Sequence, residues 1–125
     1  MSCKPKRKVL FKNPDIVIFT LTWQPGDRGT IHRHSGSHMS LTKVLRGQII
    51  ETHFDKATDK YVESSSQFYS AGQVVQDGGL DAHRLSNGSN DITVTLHTEM
   101  PPMNEIQIPN EKIILWHKPI TQPHT

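Results

Sequence analysis

Eight histidines in 125 residues are the feature of this sequence that carries chemistry. Neutral imidazole is the commonest metal ligand among side chains and the natural acid–base group near neutral pH, so their spacing decides what they can do. In His32-Arg33-His34 the two rings are two residues apart. On a β-strand, residues i and i+2 project from one face, so both rings can reach a single ion. Taken alone, a His-x-His pair is equally two surface histidines on an exposed strand. A second polar row has the same period: Thr95-x-His97-x-Glu99 places three side chains on one face, with Val94, Leu96 and Thr98 on the other. A carboxylate that fixes an imidazole tautomer is a common supporting device around metals and in proton transfer, and His97 with Glu99 offers the residue types for it.

Such rows need strands to hold them, and the chain supplies many short ones. Apolar or β-branched runs occur over Ile16–Trp23, Thr30–His34, Leu41–Leu45, Gln48–Phe54, Val74–Gln76, His83–Ser86, Ile92–Glu99 and Ile113–His117. Between them lie Gln24-Pro25-Gly26-Asp27, Arg46-Gly47, Asp77-Gly78-Gly79, Asn87-Gly88 and Met100-Pro101-Pro102, the residue types that tight turns require. No helix-period segment competes. The polar stretch Lys56–Ser70 reads as a longer loop. The pattern is all-β, either a sandwich or a barrel. The length is that of one domain, which buries about two-thirds of its unfolded surface without staples. A single cysteine, Cys3, in a lysine-rich start excludes a disulfide framework and gives no signal-peptide pattern, so a cytoplasmic address is expected. No run approaches the roughly eighteen apolar residues of a membrane span. The net charge of +2 comes partly from Lys4, Lys6, Arg7 and Lys8, a local cluster without interleaved aromatics, which argues against nucleic acid as a partner.

The surroundings of the histidines favour the barrel. Gly26 stands five residues before His32, and Leu41–Leu45 runs into Arg46-Gly47. This resembles the first cupin motif, G-x5-H-x-H followed by a strand and a glycine turn. About fifty residues on, Asp77-Gly78-Gly79-Leu80-Asp81-Ala82-His83-Arg84-Leu85-Ser86-Asn87 resembles the second, with its turn, third histidine and following asparagine. The resemblance implies a small cupin β-barrel, the double-stranded β-helix or jelly roll. It would span residues 1–125 as one domain, with a basic tail at 1–8 and a C-terminal tail at 118–125. It also implies that His32, His34 and His83 hold one divalent metal ion.

The usual cupin glutamate after the second histidine is replaced by His38, Met39 and Ser40. Three-histidine sites of that kind are typical of thiol dioxygenases, and the sequence resembles the cysteine dioxygenase family over nearly its whole length. The matching residues are Trp23, nine residues before His32; Ser37-His38; Lys43–Gly47 followed by Glu51-Thr52-His53-Phe54; His83–Asn87 leading to Leu96-His97 and Pro101-Pro102; and Trp116-His117-Lys118. The chain reads as a shortened member without the family's N-terminal helical part. Animal-type relatives join a cysteine after the metal pair to a tyrosine near the metal. Here Met39 or Ser40 takes the first place and Glu99 the second, so that crosslink cannot form.

The family's Ser-x-His-x-Tyr run thus becomes Thr95-x-His97-x-Glu99, and three roles are open to Glu99: extended to solvent, a proton acceptor working with His97, or an anionic fourth metal ligand. The family's substrate-binding arginine is matched, one residue out of register, by Arg7, whose alternative is membership of a solvated basic tail. Trp23, His38 and Met39 are the other expected substrate contacts. His53 and His117 read as core or rim histidines, and His124 as part of a frayed tail.

The resemblance implies a metal-dependent oxidoreductase, specifically a mononuclear non-haem iron dioxygenase acting on a small thiol or related molecule with O2. Thr95, His97 and Glu99 would be the catalytic row. Fe(II) is the expected ion; Zn, Ni, Mn and Cu are the other candidates, since imidazole alone does not select among such ions. Two alternatives stand beside it. One is a hydrolase, isomerase or lyase with a Lewis-acid metal and Glu99 moving protons; the other is a non-catalytic metal- or ligand-binding cupin, because one barrel hosts all three. The expected partners are the small substrate and O2, in a monomer or homodimer.

Overall fold

The computed structural model describes residues 3–34, 39–78, 82–102 and 106–114. Eleven strands lie within them: β1 (Lys6–Lys12), β2 (Val17–Trp23), β3 (His32–Arg33), β4 (Met39–Arg46), β5 (Gln48–Ala57), β6 (Lys60–Ser70), β7 (Val74–Gly78), β8 (Ala82–Ser86), β9 (Thr93–Met100), β10 (Ile106–Gln107) and β11 (Ile113–Ile114). A single 3-10 turn covers Asn110–Lys112. The strands form two sheets, ordered β1-β2-β9-β4-β7 and β10-β3-β8-β5-β6-β11. Each sheet contributes to a shared core: Trp23 of β2 and Val44 of β4 pack with Ile49 of β5, and a second cluster joins Ile31, Phe54, Ala82 and Ile108. This is the jelly-roll arrangement expected from the motifs. No helix among the described residues is long and apolar enough to cross a membrane.

Two expectations are corrected. The stretch from Lys56 is no loop, because β5 and β6 form a long antiparallel hairpin from Gln48↔Ser70 to Ala57↔Lys60. The serine-rich β6 is exposed through its middle and turns only Tyr61 and Tyr69 against the core, too little to read as a strand face; backbone bonding to β5 and β11 holds it. Nor is the basic N-terminal segment a tail through residue 8, since β1 begins at Lys6 and pairs with β2 from Lys6↔Thr22 to Lys12↔Val17. All seven residues of β1 are exposed, so hydropathy again gives no sign of it. The segments assigned to the C-terminal tail and to Ile113–His117 lie, beyond Ile114, outside the described residues.

The two motifs are tied to each other where they matter. Gly26, at φ +86°, occupies the left-handed region open to glycine in the turn before β3. Its N–H donates to the Asn87 carbonyl at 2.9 Å, and the Asn87 N–H donates back to the Asp27 carbonyl at 2.9 Å. The Asn87 side chain also donates to the carbonyls of Trp23 (3.2 Å) and Asp91 (2.8 Å). The glycine of one motif and the asparagine of the other therefore clamp β3 beside β8, where His32 faces His83 in register.

The interior is unusual in its chemistry. Among the described residues eleven buried side chains are polar or charged and ten are apolar. A barrel this small does not retain so much buried polarity for packing alone, because each such group must find a partner.

Candidate metal centre

His32, His34 and His83 converge inside the barrel, with one ring nitrogen from each lying within 4.8 Å of the others. His83 Nε2 is 3.1 Å from His32 Nε2 and 3.3 Å from His34 Nε2. The outer nitrogens explain the aim. His32 Nδ1 is 2.9 Å from the Thr30 carbonyl and His83 Nδ1 is 2.9 Å from Glu51 Oε2. Since a carbonyl and a carboxylate only accept, both Nδ1 atoms carry the proton, and in the neutral rings both Nε2 atoms present a lone pair. Lone pairs this close repel unless a cation lies between them. Nitrogens bonded to one ion at about 2.1 Å stand about 3.0 Å apart at a right angle and about 3.4 Å apart at the tetrahedral angle. The observed 3.1 and 3.3 Å fall between these limits, so the donor set fits a single metal ion.

Behind His83 stands a carboxylate that sequence reasoning assigned no role. Glu51, on β5, is 1% exposed and lies diagonally across from His83 on β8. Burial raises its pKa, but hydrogen bonds with His83 and Asp77, and the positive charge that His83 and His53 carry when protonated, outweigh this and hold it at about 2. Its other oxygen, Oε1, is 3.0 Å from His53 Nε2, and Asp77 Oδ2 lies 3.4 Å from His83 Nδ1. A carboxylate on the distal nitrogen of a liganding histidine fixes the ring and raises its basicity. The local signal is present in Glu51-x-His53, two residues apart on one strand. Its pairing with His83 is a long-range fact.

The second row runs along β9, where Thr93, Thr95, His97 and Glu99 alternate as buried positions. His97 is held on all sides: its ring stacks on Phe19 of β2 at 4.8 Å and 2°, Nε2 is 2.7 Å from Thr95 Oγ1, and Nδ1 is 3.1 Å from Thr42 Oγ1 of β4. The buried Trp23 indole donates to Thr95 Oγ1 at 2.9 Å. Burial, then the charges of Arg7 and His32, push the His97 pKa down to about 3. It is a neutral imidazole between two hydroxyls.

Its pH signature follows. His97 binds a proton in the unfolded chain near pH 6.5 but in the folded one only near 3, so its contribution to stability is complete above 6.5 and is lost as pH falls toward 3. We expect urea unfolding of the metal-free protein to show the stability difference, wild type minus His97→Gln, shrinking by up to about 1.4 kcal/mol per pH unit below pH 6.5. A difference that stays constant from pH 7 to 5 would remove this account.

Both rows open on one cavity of about 280 Å³. Arg7, Trp23, His97 and Glu99 line it beside the three histidines. The Arg7 guanidinium lies 3.9 Å from the centre of the Phe19 ring. Since β2 separates β1 from β9, Phe19 stands between Arg7 and His97. Glu99 is 6% exposed, which corrects the reading of it as a solvent-facing carboxylate. It is also not among the converging ligand atoms of the three histidines. Its strand is central, with β2 and β4 covering both sides. Met39 is not brought to the site: it is 41% exposed, because the alternation of β4 turns Ser40 and Thr42 inward instead. His38, like His117 and His124, lies outside the described residues. His53 is a rim histidine, as expected, but a bonded one.

The family model described as cysteine dioxygenase type I matches residues 6–112. Human cysteine dioxygenase type 1 is 32% identical over 92 residues, covering 70% of this chain and 46% of the relative; the protein of Rattus norvegicus is 30% identical over the same length and shares. The chain thus spans about half the length of the curated relatives it matches. Among solved structures, a double-stranded β-helix protein from Klebsiella pneumoniae superposes with a TM-score of 0.67 at 16% identity, over 78% of this chain and 73% of that one. An oxalate oxidase in complex with the substrate analogue glycolate gives 0.67 at 11% identity, over 86% and 57%. These distant likenesses establish the cupin fold, and the match over 6–112 establishes more: the chain belongs to the cysteine dioxygenase type I family.

Proposed function

We propose that this chain is a mononuclear non-haem iron oxygenase that uses O2 to oxidise a small thiol. The observation that supports it best is the meeting of two independent devices on one small cavity: three converging imidazole nitrogens and, beside them, the row of hydrogen-bonded Thr95 and His97 with Glu99. Iron held by His32, His34 and His83 would supply the redox chemistry of thiol oxidation. The cavity volume suits a substrate of a few heavy atoms, below the 300–1,000 Å³ common for drug-sized ligands.

The chain's own groups then have defined tasks. A thiol must lose its proton to act as thiolate, and Glu99, a buried carboxylate lining the cavity, accepts it. The Trp23 indole N–H occupies one acceptor site of Thr95 Oγ1, which keeps its hydroxyl hydrogen and second lone pair for His97 Nε2. Thr42 Oγ1 meets Nδ1 on the other side, and since each hydroxyl can donate or accept, the ring is held in place with both nitrogens bonded. Arg7 offers its guanidinium at the cavity to an anionic substrate group. The carboxylate at Glu99, in place of a phenol, favours a second reading, a cupin metalloenzyme of another class with Glu99 as its proton-transfer group.

Oxygen uptake separates the two. The iron-loaded protein is expected to consume O2 with at least one of cysteine, cysteamine and 3-mercaptopropionate. Retention of one equivalent of metal with no uptake for any of them would sink the thiol oxygenase reading and leave the second standing.

A further inference from the structure

We propose that His53 is a positioning residue of the metal centre, the outer end of a hydrogen-bonded chain, His53–Glu51–His83, that sets how strongly the His83 nitrogen donates to the ion. This rests on the reading of His32, His34 and His83 as metal ligands and not on any particular reaction.

The chain crosses the barrel wall. His53 does not border the metal cavity; its side chain is 30% exposed and edges a surface depression with Asp55, Ser64 and Gln67. From there its Nε2 reaches Glu51 Oε1 at 3.0 Å, and Glu51 Oε2 reaches His83 Nδ1 at 2.9 Å. Residues i and i+2 of a strand share a face, so His53 projects on the side of Glu51. Phe54, 2% exposed, turns to the opposite face and packs with Ile31, Ala82 and Ile108.

An ionised carboxylate accepts and never donates, so His53 and His83 both meet Glu51 as N–H donors, beside its hydrogen bond with Asp77. They compete for one negative charge. The His53 N–H draws electron density from Glu51 and so weakens its pull on the His83 Nδ1 proton. Remove that donor and Glu51 pulls harder, the His83 ring gains imidazolate character, and Nε2 becomes the stronger base. A stronger donor favours the higher oxidation state of an ion. Asp77, 3.4 Å from the same Nδ1, stays in place in this comparison.

The test is a mediated redox titration of the iron-loaded protein with wild type, His53→Leu and His53→Gln. Leucine removes the donor, whereas the glutamine amide keeps an N–H for Oε1. We expect His53→Leu to raise the ratio of ferric to ferrous affinity about threefold, a potential lower by about 28 mV at 59 mV per tenfold. His53→Gln should remain near wild type. A histidine that merely filled the wall would change unfolding and leave the potential alone. The proposal is overturned if His53→Leu binds one equivalent of iron at the wild-type potential, or if glutamine shifts it as far as leucine. Failure of the wild type itself to bind iron would overturn the metal reading with it, and absence of thiol oxidation would touch neither.

Discussion

Replacing His83 by alanine is expected to abolish stoichiometric metal binding, from about one equivalent to a small fraction of one after dialysis. His83 is the proposed ligand on which the other parts depend. It faces His32 in register, its Nε2 approaches both other ligand nitrogens, and its Nδ1 anchors the carboxylate behind. Without it, His32 and His34 come from one short strand and the residue just after it, and two ligands cannot hold a divalent ion against water as three do. Metal binds only the folded protein, so its loss also appears as stability. At a metal concentration a hundred times the dissociation constant, the wild type gains about 2.7 kcal/mol and the variant nothing. Metal analysis and denaturant midpoints with and without added Fe(II) check both statements. Far-ultraviolet dichroism shows whether the strands persist, which they should, because alanine here leaves a cavity at a polar site and not in the apolar clusters of Trp23 or Phe54. A variant that still bound one equivalent as tightly would mean that the centre lies elsewhere.

Much of this centre was legible before any coordinates, for reasons that differ from residue to residue. His32 and His34 declare themselves because a strand repeats every two residues and the turn at Gly26 sits at a fixed distance before them. The inward row Thr95, His97 and Glu99 is legible by the same period. Whether such a row faces water is not local information: it depends on β9 lying between β2 and β4 with the second sheet opposite, so the burial of Glu99 appears only when the barrel closes. Glu51 is the sharper case. Its strand and its face are readable from Gln48–Phe54, but its role follows from a diagonal contact with a residue 32 positions away, and no neighbouring residue encodes that register. The strands β1 and β6 escape hydropathy, since β1 buries no side chain and β6 packs only Tyr61 and Tyr69 against the core from its two ends. Pairing, of β1 with β2 and of β6 with β5 and β11, orders them, and pairing leaves no compositional trace.

Glu51 also carries the other large expected effect. We expect Glu51→Gln to weaken metal binding ten- to a hundredfold while His32, His34 and His83 remain, a range typical of lost outer-shell partners. Glutamine keeps the size of glutamate but presents one acceptor and one N–H₂ group. It can accept from His83 Nδ1 or from His53 Nε2, whereas Glu51 now accepts from both, at 2.9 and 3.0 Å. Either orientation sets an N–H against a ring nitrogen. If that nitrogen belongs to His83, the ring is driven to its other tautomer, with the proton on Nε2 and no lone pair for the ion. If it belongs to His53, the wall histidine turns away and His83 loses the negative charge that made it a strong donor. Chelator competition measures the affinity, and an unchanged dissociation constant would remove Glu51 from the centre. The acid limb of stability gives a second readout in the metal-free protein. The Glu51 carboxyl titrates at about 2 when folded against 4.5 ordinarily, so its stabilisation is complete above pH 4.5 and disappears as pH falls toward 2. The glutamine variant has no such group, and between pH 4.5 and 2 its stability should fall less steeply than that of the wild type, by up to about 1.4 kcal/mol per pH unit.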